Sequence, residues 1–336
     1  MGRVALLCWI ALASLAADRP SVVEAAPVRR WTGRPGARAA GPPRFGTVRG
    51  KGAFGGARLL GRKRIPGRFK TRPSTVRLRL PGGQRVRAVW KTTPGFVNEV
   101  AAHGLSGELG FSIVPETESA EIGGRRGSLQ RFVEGAVEAR DLPADAAIDR
   151  TQVEELRVLD FLLVNEDRNQ RNVLLVSDKR GGYRLWAIDH ESSLADPSRA
   201  FGYTPRPYIT VAQLDNAARF GGPISQATLR SIERASPERV AHALVAAGIR
   251  PPVVRGVLLR LERLKSGDLA FLELDETGSR GLGDRMAAEN QRLESTLSPD
   301  AIARVDALVA SLPADGDSSR GVRPRGPRRT VLQRRR

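Results

Sequence analysis

Between residues 150 and 189 the chain runs as one amphipathic stretch, one polar octet and two short apolar runs, an order that brings its far end back beside its middle. Thr151-Gln152-Val153-Glu154 reads as a capping box, and Val153, Leu156, Asp160 and Leu163 recur at helical spacing, so a helix is predicted over about 150–164. Asn165-Glu166-Asp167-Arg168-Asn169-Gln170-Arg171-Asn172 is then a loop. Val173 to Val176 and Tyr183 to Ile188 read as strands, with turn residues from Asp178 to Gly182 between them. Such a hairpin returns Asp189 to the neighbourhood of Asn172.

Asp167, Asn172 and Asp189 have the residue types that phosphoryl transfer needs. One carboxylate orients an attacking hydroxyl, and oxygen ligands hold magnesium against a triphosphate. Asp-Arg-x-x-x-x-Asn followed by Ile-Asp-His resembles the catalytic core of the phosphatidylinositol kinase-like superfamily, which includes lipid kinases and HipA-like bacterial kinases. The resemblance implies Asp167 as catalytic carboxylate and Asn172 and Asp189 as Mg2+ ligands. Lipid kinases usually carry His where this chain has Asn169.

Upstream, Val76, Leu78 and Leu80 alternate with Arg77 and Arg79, Gly82-Gly83 offers a turn, and a second strand ends on Lys91. Ala88-Val89-Trp90-Lys91 resembles the strand that carries a kinase's phosphate-binding lysine. Asn98-Glu99 opens a short helix running to Leu109, and the resemblance implies that Glu99 pairs with Lys91. Strands are predicted at Phe111–Pro115 and Gly127–Gly135. The second resembles the hinge strand that meets adenine, which implies cofactor-binding roles for Gln130 and Phe132. Residues 65–71 are the sole candidate for a glycine-rich phosphate loop, and they form no Walker motif. His190 follows Asp189 and is expected to position that carboxylate.

Charge is spread unevenly. Ala25 to Asn98 holds 19 Lys plus Arg and no acid, and Ser318 to Arg336 holds 8 and none. Residues 99–317 keep 26 basic and 34 acidic residues, so the net +19 of the chain arises from its flanks. Arg3, the apolar run from Val4 to Ala16 and the small residues up to Ala25 read as a signal peptide over 1–25. That predicts a secreted, periplasmic or envelope protein. Cys8 falls inside the signal, leaving no cysteine for a disulfide.

The expected organisation is a disordered basic segment over 26–70, a kinase-like domain over 71–312 (N-lobe 71–134, C-lobe 135–312) and a basic tail over 313–336. The fold class is α+β with two lobes, a small antiparallel sheet and a mainly helical C-lobe. Helical patterns run over 225–235, 237–247, 251–265 and 284–311, the last broken near Pro299. The expected function is transfer of the γ-phosphoryl of ATP to a hydroxyl, with a nucleotide-binding pseudokinase or an AMP-transferring enzyme as alternatives. The basic arms are expected to meet an anionic envelope or membrane surface. Aromatic residues make up 5%, with no nucleic-acid module, so no specific nucleic-acid partner is expected.

Overall fold

The computed structural model describes residues 46–65, 73–143, 146–165, 167–178, 181–194, 222–272, 288–289 and 291–313. Five antiparallel strands build the first lobe: β1 (Arg58–Arg64), β2 (Ser74–Arg79), β3 (Arg85–Lys91), β4 (Thr117–Ile122) and β5 (Arg125–Arg131). Their order across the sheet is β1-β2-β3-β5-β4. Alternation sets the register: Val76 faces Ala88 and Leu78 faces Val86, so the apolar side chains gather on one side of the sheet.

That apolar side is covered by a segment expected to be disordered. Val48, Phe54 and Ala57 are buried together with Val76, Leu78, Ala88, Trp90 and Leu129, and β1 pairs along β2 from Arg58 to Arg64. Over 46–65 the expectation of a disordered stretch is therefore corrected, and the N-lobe starts near Gly46. The segment has few apolar residues, but it borrows a hydrophobic face already made by β2, β3 and β5. The remainder of 26–70 apart from 46–65, the signal pattern over 1–25 and all of the tail beyond Pro313 lie outside the described residues.

α1 (Phe96–Glu108) follows the sheet. Ala101, Ala102, Leu105 and Leu109 join the hydrophobic cluster of the second lobe, so this helix links the lobes. No strand forms over 111–115. Ile113 and Phe111 are buried in that same cluster, and the Ile113 carbonyl accepts the Ala187 amide at 2.7 Å. The strand lies at β4 instead, whose sequence Thr-Glu-Ser-Ala-Glu-Ile gives little apolar signal.

The second lobe is built on α2 (Arg150–Leu163), which is buried along most of its length. Asp149, rather than Thr151, caps it by accepting the Thr151 and Gln152 amides. β6 (Val137–Glu138), β7 (Val173–Ser177) and β8 (Tyr183–Ala187) form a small antiparallel sheet. α3 (Gln226–Arg234), α4 (Pro237–Ala246), α5 (Pro251–Lys265) and α6 (Pro299–Ser311) complete it among the described residues. Pro237, Pro251 and Pro299 each open their helix, where the missing amide proton costs nothing. The result is the expected α+β fold in two lobes, a small antiparallel sheet and a mainly helical second lobe.

Candidate active site

Lys91 is the last residue of β3 and Glu99 lies in the first turn of α1. The Lys91 ammonium pairs with the Glu99 carboxylate and with Asp189 Oδ1, the latter at 2.7 Å. Lys91 and Glu99 are deeply buried, while the Asp189 side chain keeps 39% of its surface open. Burial pushes the lysine pKa down, but the two carboxylates outweigh it and the net shift is upward. Burial likewise pushes Glu99 up, and Lys91 with His190 reverses this, holding it at about 2. The pair therefore stays ionised.

Asp189 reaches this position from a left-handed backbone (φ 60°), a conformation that non-glycine residues adopt uncommonly. A buried network fixes the backbone around it. Arg168 is fully buried and forks onto Asp160 through Nε at 2.9 Å and Nη2 at 3.0 Å. Its Nη1 donates to the carbonyls of Asn172 (2.6 Å) and Ile188 (2.7 Å), and the Ile188 amide donates to the Asn172 carbonyl at 3.0 Å. One guanidinium thus ties the polar loop to the residue before Asp189. Asn165 completes the network, donating to Asp160 Oδ1 at 3.0 Å and accepting the Asp167 amide at 3.1 Å.

Asp167 itself is exposed. Asn172 Nδ2 donates to its carbonyl at 2.7 Å, and Asn169 Nδ2 donates to its Oδ1 at 3.2 Å. The residue that departs from the lipid-kinase pattern therefore orients the Asp167 carboxylate. Since the Asn172 amide nitrogen is engaged, its Oδ1 is left as an acceptor. Asn172 Oδ1 and Asp189 Oδ2 are hard oxygen donors, a set that suits Mg2+, which takes one or two protein oxygens and completes its shell with water and phosphate. Among the described residues no three His, Cys, Asp or Glu side chains cluster as a self-sufficient metal cage.

The other expected site residues have side-chain partners of their own. Gln130 is buried, and its amide donates to Thr117 Oγ1 at 3.0 Å, so it braces β5 on β4. The Phe132 ring sits under the Arg87 guanidinium, 4.0 Å from its centroid. His190 turns toward Glu99 rather than Asp189, with Nδ1 3.6 Å from Glu99 Oε2. Burial chiefly lowers its pKa, so its ring is neutral. Residues 66–71 of the proposed phosphate loop lie outside the described residues, in the connection from β1 to β2.

Asp160, Arg168 and Asn98 carry structural weight at the site that the sequence reading did not assign. Asn98 Nδ2 donates to the carbonyls of Glu191 (2.9 Å) and Ser193 (2.7 Å), clamping α1 to the chain just past Asp189. The signal for Asp160 was present: an acid in phase with Val153, Leu156 and Leu163 on a helix's apolar stripe demands a buried cation.

No protein-family model matches this chain, and no curated protein matches it. Among solved structures, the crystal structure of the Helicobacter pylori proinflammatory kinase CtkA is similar over 70% of this chain and 94% of that chain, at 15% sequence identity and a TM-score of 0.33. A likeness of that order carries no functional weight, and the chemistry is read from the side chains.

Proposed function

We propose that this protein is an ATP- and Mg2+-dependent phosphotransferase of the phosphatidylinositol kinase-like superfamily, acting on a hydroxyl acceptor. The observation that carries the reading is the Lys91 ammonium held between buried Glu99 and solvent-accessible Asp189. Glu99 fixes the ammonium where it can neutralise the α- and β-phosphates of the substrate nucleotide. Asp167 accepts the acceptor's hydroxyl proton as its oxygen bonds to the γ-phosphorus and the bond to the ADP oxygen breaks. Asn169 keeps the Asp167 carboxylate turned for that contact. Asn172 and Asp189 would hold Mg2+, which supplies charge neutralisation of the phosphate oxygens.

The purified full-length chain, incubated with γ-labelled ATP and an extract of its own host, is expected to transfer label. Asp167→Ala and Asp189→Ala are expected to abolish transfer, and full activity in both would overturn the assignment. The Lys91–Asp189 ion pair favours a second reading, a nucleotide-binding pseudokinase, because it engages the proposed metal ligand. Calorimetric binding of ATP with Mg2+ in the absence of product would decide for it, and the mass of any product separates phosphate from AMP. The signal-like residues 1–25 support export to the envelope, which N-terminal sequencing of the mature protein tests.

A further inference from the structure

The exposed side of the N-lobe sheet carries arginines set directly against one another. Residues paired across strands share a face. Arg58 pairs with Arg79 and Arg79 with Arg85, while Arg77 pairs with Arg87. Lys63, opposite Thr75, extends the same face. Only Arg87 is neutralised among the described residues, by Glu134, with Nε 2.6 Å from Oε1. Arg58, Arg77, Arg79 and Arg85 are exposed and have no acidic partner among the described residues.

Like charges set opposite each other destabilise a sheet, so their retention calls for a cause. Edge protection explains Arg58, since β1 is the edge strand, but β2 and β3 lie inside the sheet. A concave groove of about 580 Å³ follows this face, lined by Arg77, Arg79, Arg85, Arg87, Phe132 and Glu134 among others. Lys91, Asp167 and Asp189 do not line it. The backbone positions that carry these arginines repeat about every 5 Å across strands and about every 7 Å along them.

We propose that this groove binds a linear polymer of phosphodiester groups, recognised through its charges and not through bases. Arginine matches tetrahedral oxyanions with two parallel hydrogen bonds. A concave track suits a chain better than a flat bilayer. The one aromatic ring in the groove is capped by Arg87 and offers no stacking platform, which removes the usual basis of single-stranded base binding. Lys91 shares this face of β3 with Arg85 and Arg87, and Phe132 lines the groove, so the groove shares a sheet face with the proposed nucleotide site; the proposal is read from the arginines alone.

Fluorescence anisotropy of the full-length chain with a base-free phosphodiester oligomer, over a series of salt concentrations, tests it. The comparison is R77Q/R79Q/R85Q against R323Q/R325Q/R328Q, which removes equal charge from the C-terminal tail. At about 0.7 per phosphate contact, the sheet variant is expected to lower the salt slope by about 2 and to weaken binding at least about tenfold more than the tail variant. Equal effects of the two variants would overturn the proposal. So would binding of oligo(dT) tenfold tighter than the base-free oligomer, equal binding of polyglutamate, or binding confined to phosphatidylglycerol vesicles. Thermal melting checks the fold, and R79Q/R85Q alone, expected to give about two-thirds of the slope change, decides the matter if the threefold variant fails to fold.

Discussion

Breaking the Arg168–Asp160 pair tests whether the polar loop over 165–172 is strapped from beneath. Both side chains are fully buried. Arg168→Met removes two bonds to Asp160 and the bonds to the Asn172 and Ile188 carbonyls, leaving a buried carboxylate with Asn165 as its remaining hydrogen-bond donor. Loss of one partner of a buried pair costs about 3–5 kcal/mol, so Arg168→Met is placed at about 4 and Asp160→Asn at about 3 kcal/mol. The double variant has no stranded charge and is expected near 4 rather than 7 kcal/mol, a coupling of about 3 kcal/mol. In a domain of this size the Arg168→Met loss corresponds to a fall in Tm of about 8–16 °C. Urea unfolding followed by circular dichroism at pH 7 measures all four proteins. Additivity within about 0.5 kcal/mol would refute the strap, as would a cost below about 1 kcal/mol for Arg168→Met.

Other outcomes follow from local chemistry. Burial, with Asp149 and Glu154 nearby, raises the Glu155 pKa to about 7. Its protonated form is favoured in the fold, so this contribution is present below pH ~4.5 and lost as pH rises through about 7; screened for partial exposure it is worth about 1–2 kcal/mol. Glu155→Gln should accordingly raise Tm at pH 8 and leave it unchanged at pH 4, and a lower Tm at pH 8 would count against this. Glu99 has the opposite sign: its pKa of about 2 gives stability above pH ~4.5 that is lost as pH falls toward 2. The acid side of the wild-type unfolding profile should be shallower in Glu99→Gln, and identical profiles would speak against it. A methyl at Gly127 would run into the Lys91 carbonyl and sit 3.0 Å from the Trp90 ring, so Gly127→Ala should cost about 1–3 kcal/mol and weaken ATP binding; unchanged urea midpoints would contradict this. Asp149→Ala should cost about 1 kcal/mol through the lost cap of α2, read as a shift in the urea midpoint.

Elements with a clean period were legible in the sequence. The β2–β3 hairpin, α2, the β7–β8 hairpin and the proline-led helices each show their own apolar alternation or capping residue. β1 and β4 were not, because Arg-Leu-Leu-Gly-Arg-Lys-Arg and Thr-Glu-Ser-Ala-Glu-Ile are held by neighbours that already own the core. Phe111 to Val114 misled in the other direction: its apolar residues fill a core while its backbone runs outside any ladder. At the site, the resemblance implied that Lys91 pairs with Glu99, and the β7–β8 hairpin returned Asp189 to the neighbourhood of Asn172. The hidden struts could not, since Arg168 sits in a polar loop and reveals its burial only once α2 is packed against it. His190 went astray because sequence adjacency does not say toward which neighbour a side chain turns.

The covering of the N-lobe by Val48, Phe54 and Ala57 has a practical corollary. Trimming the chain to the apparent start of its hydrophobic pattern at Ser74 would strip the roof from Trp90 and leave a greasy, sticky sheet. Any shortened version meant for crystallisation or assay must keep the arginine-rich leader from Gly46 onward, however dispensable its composition makes it look.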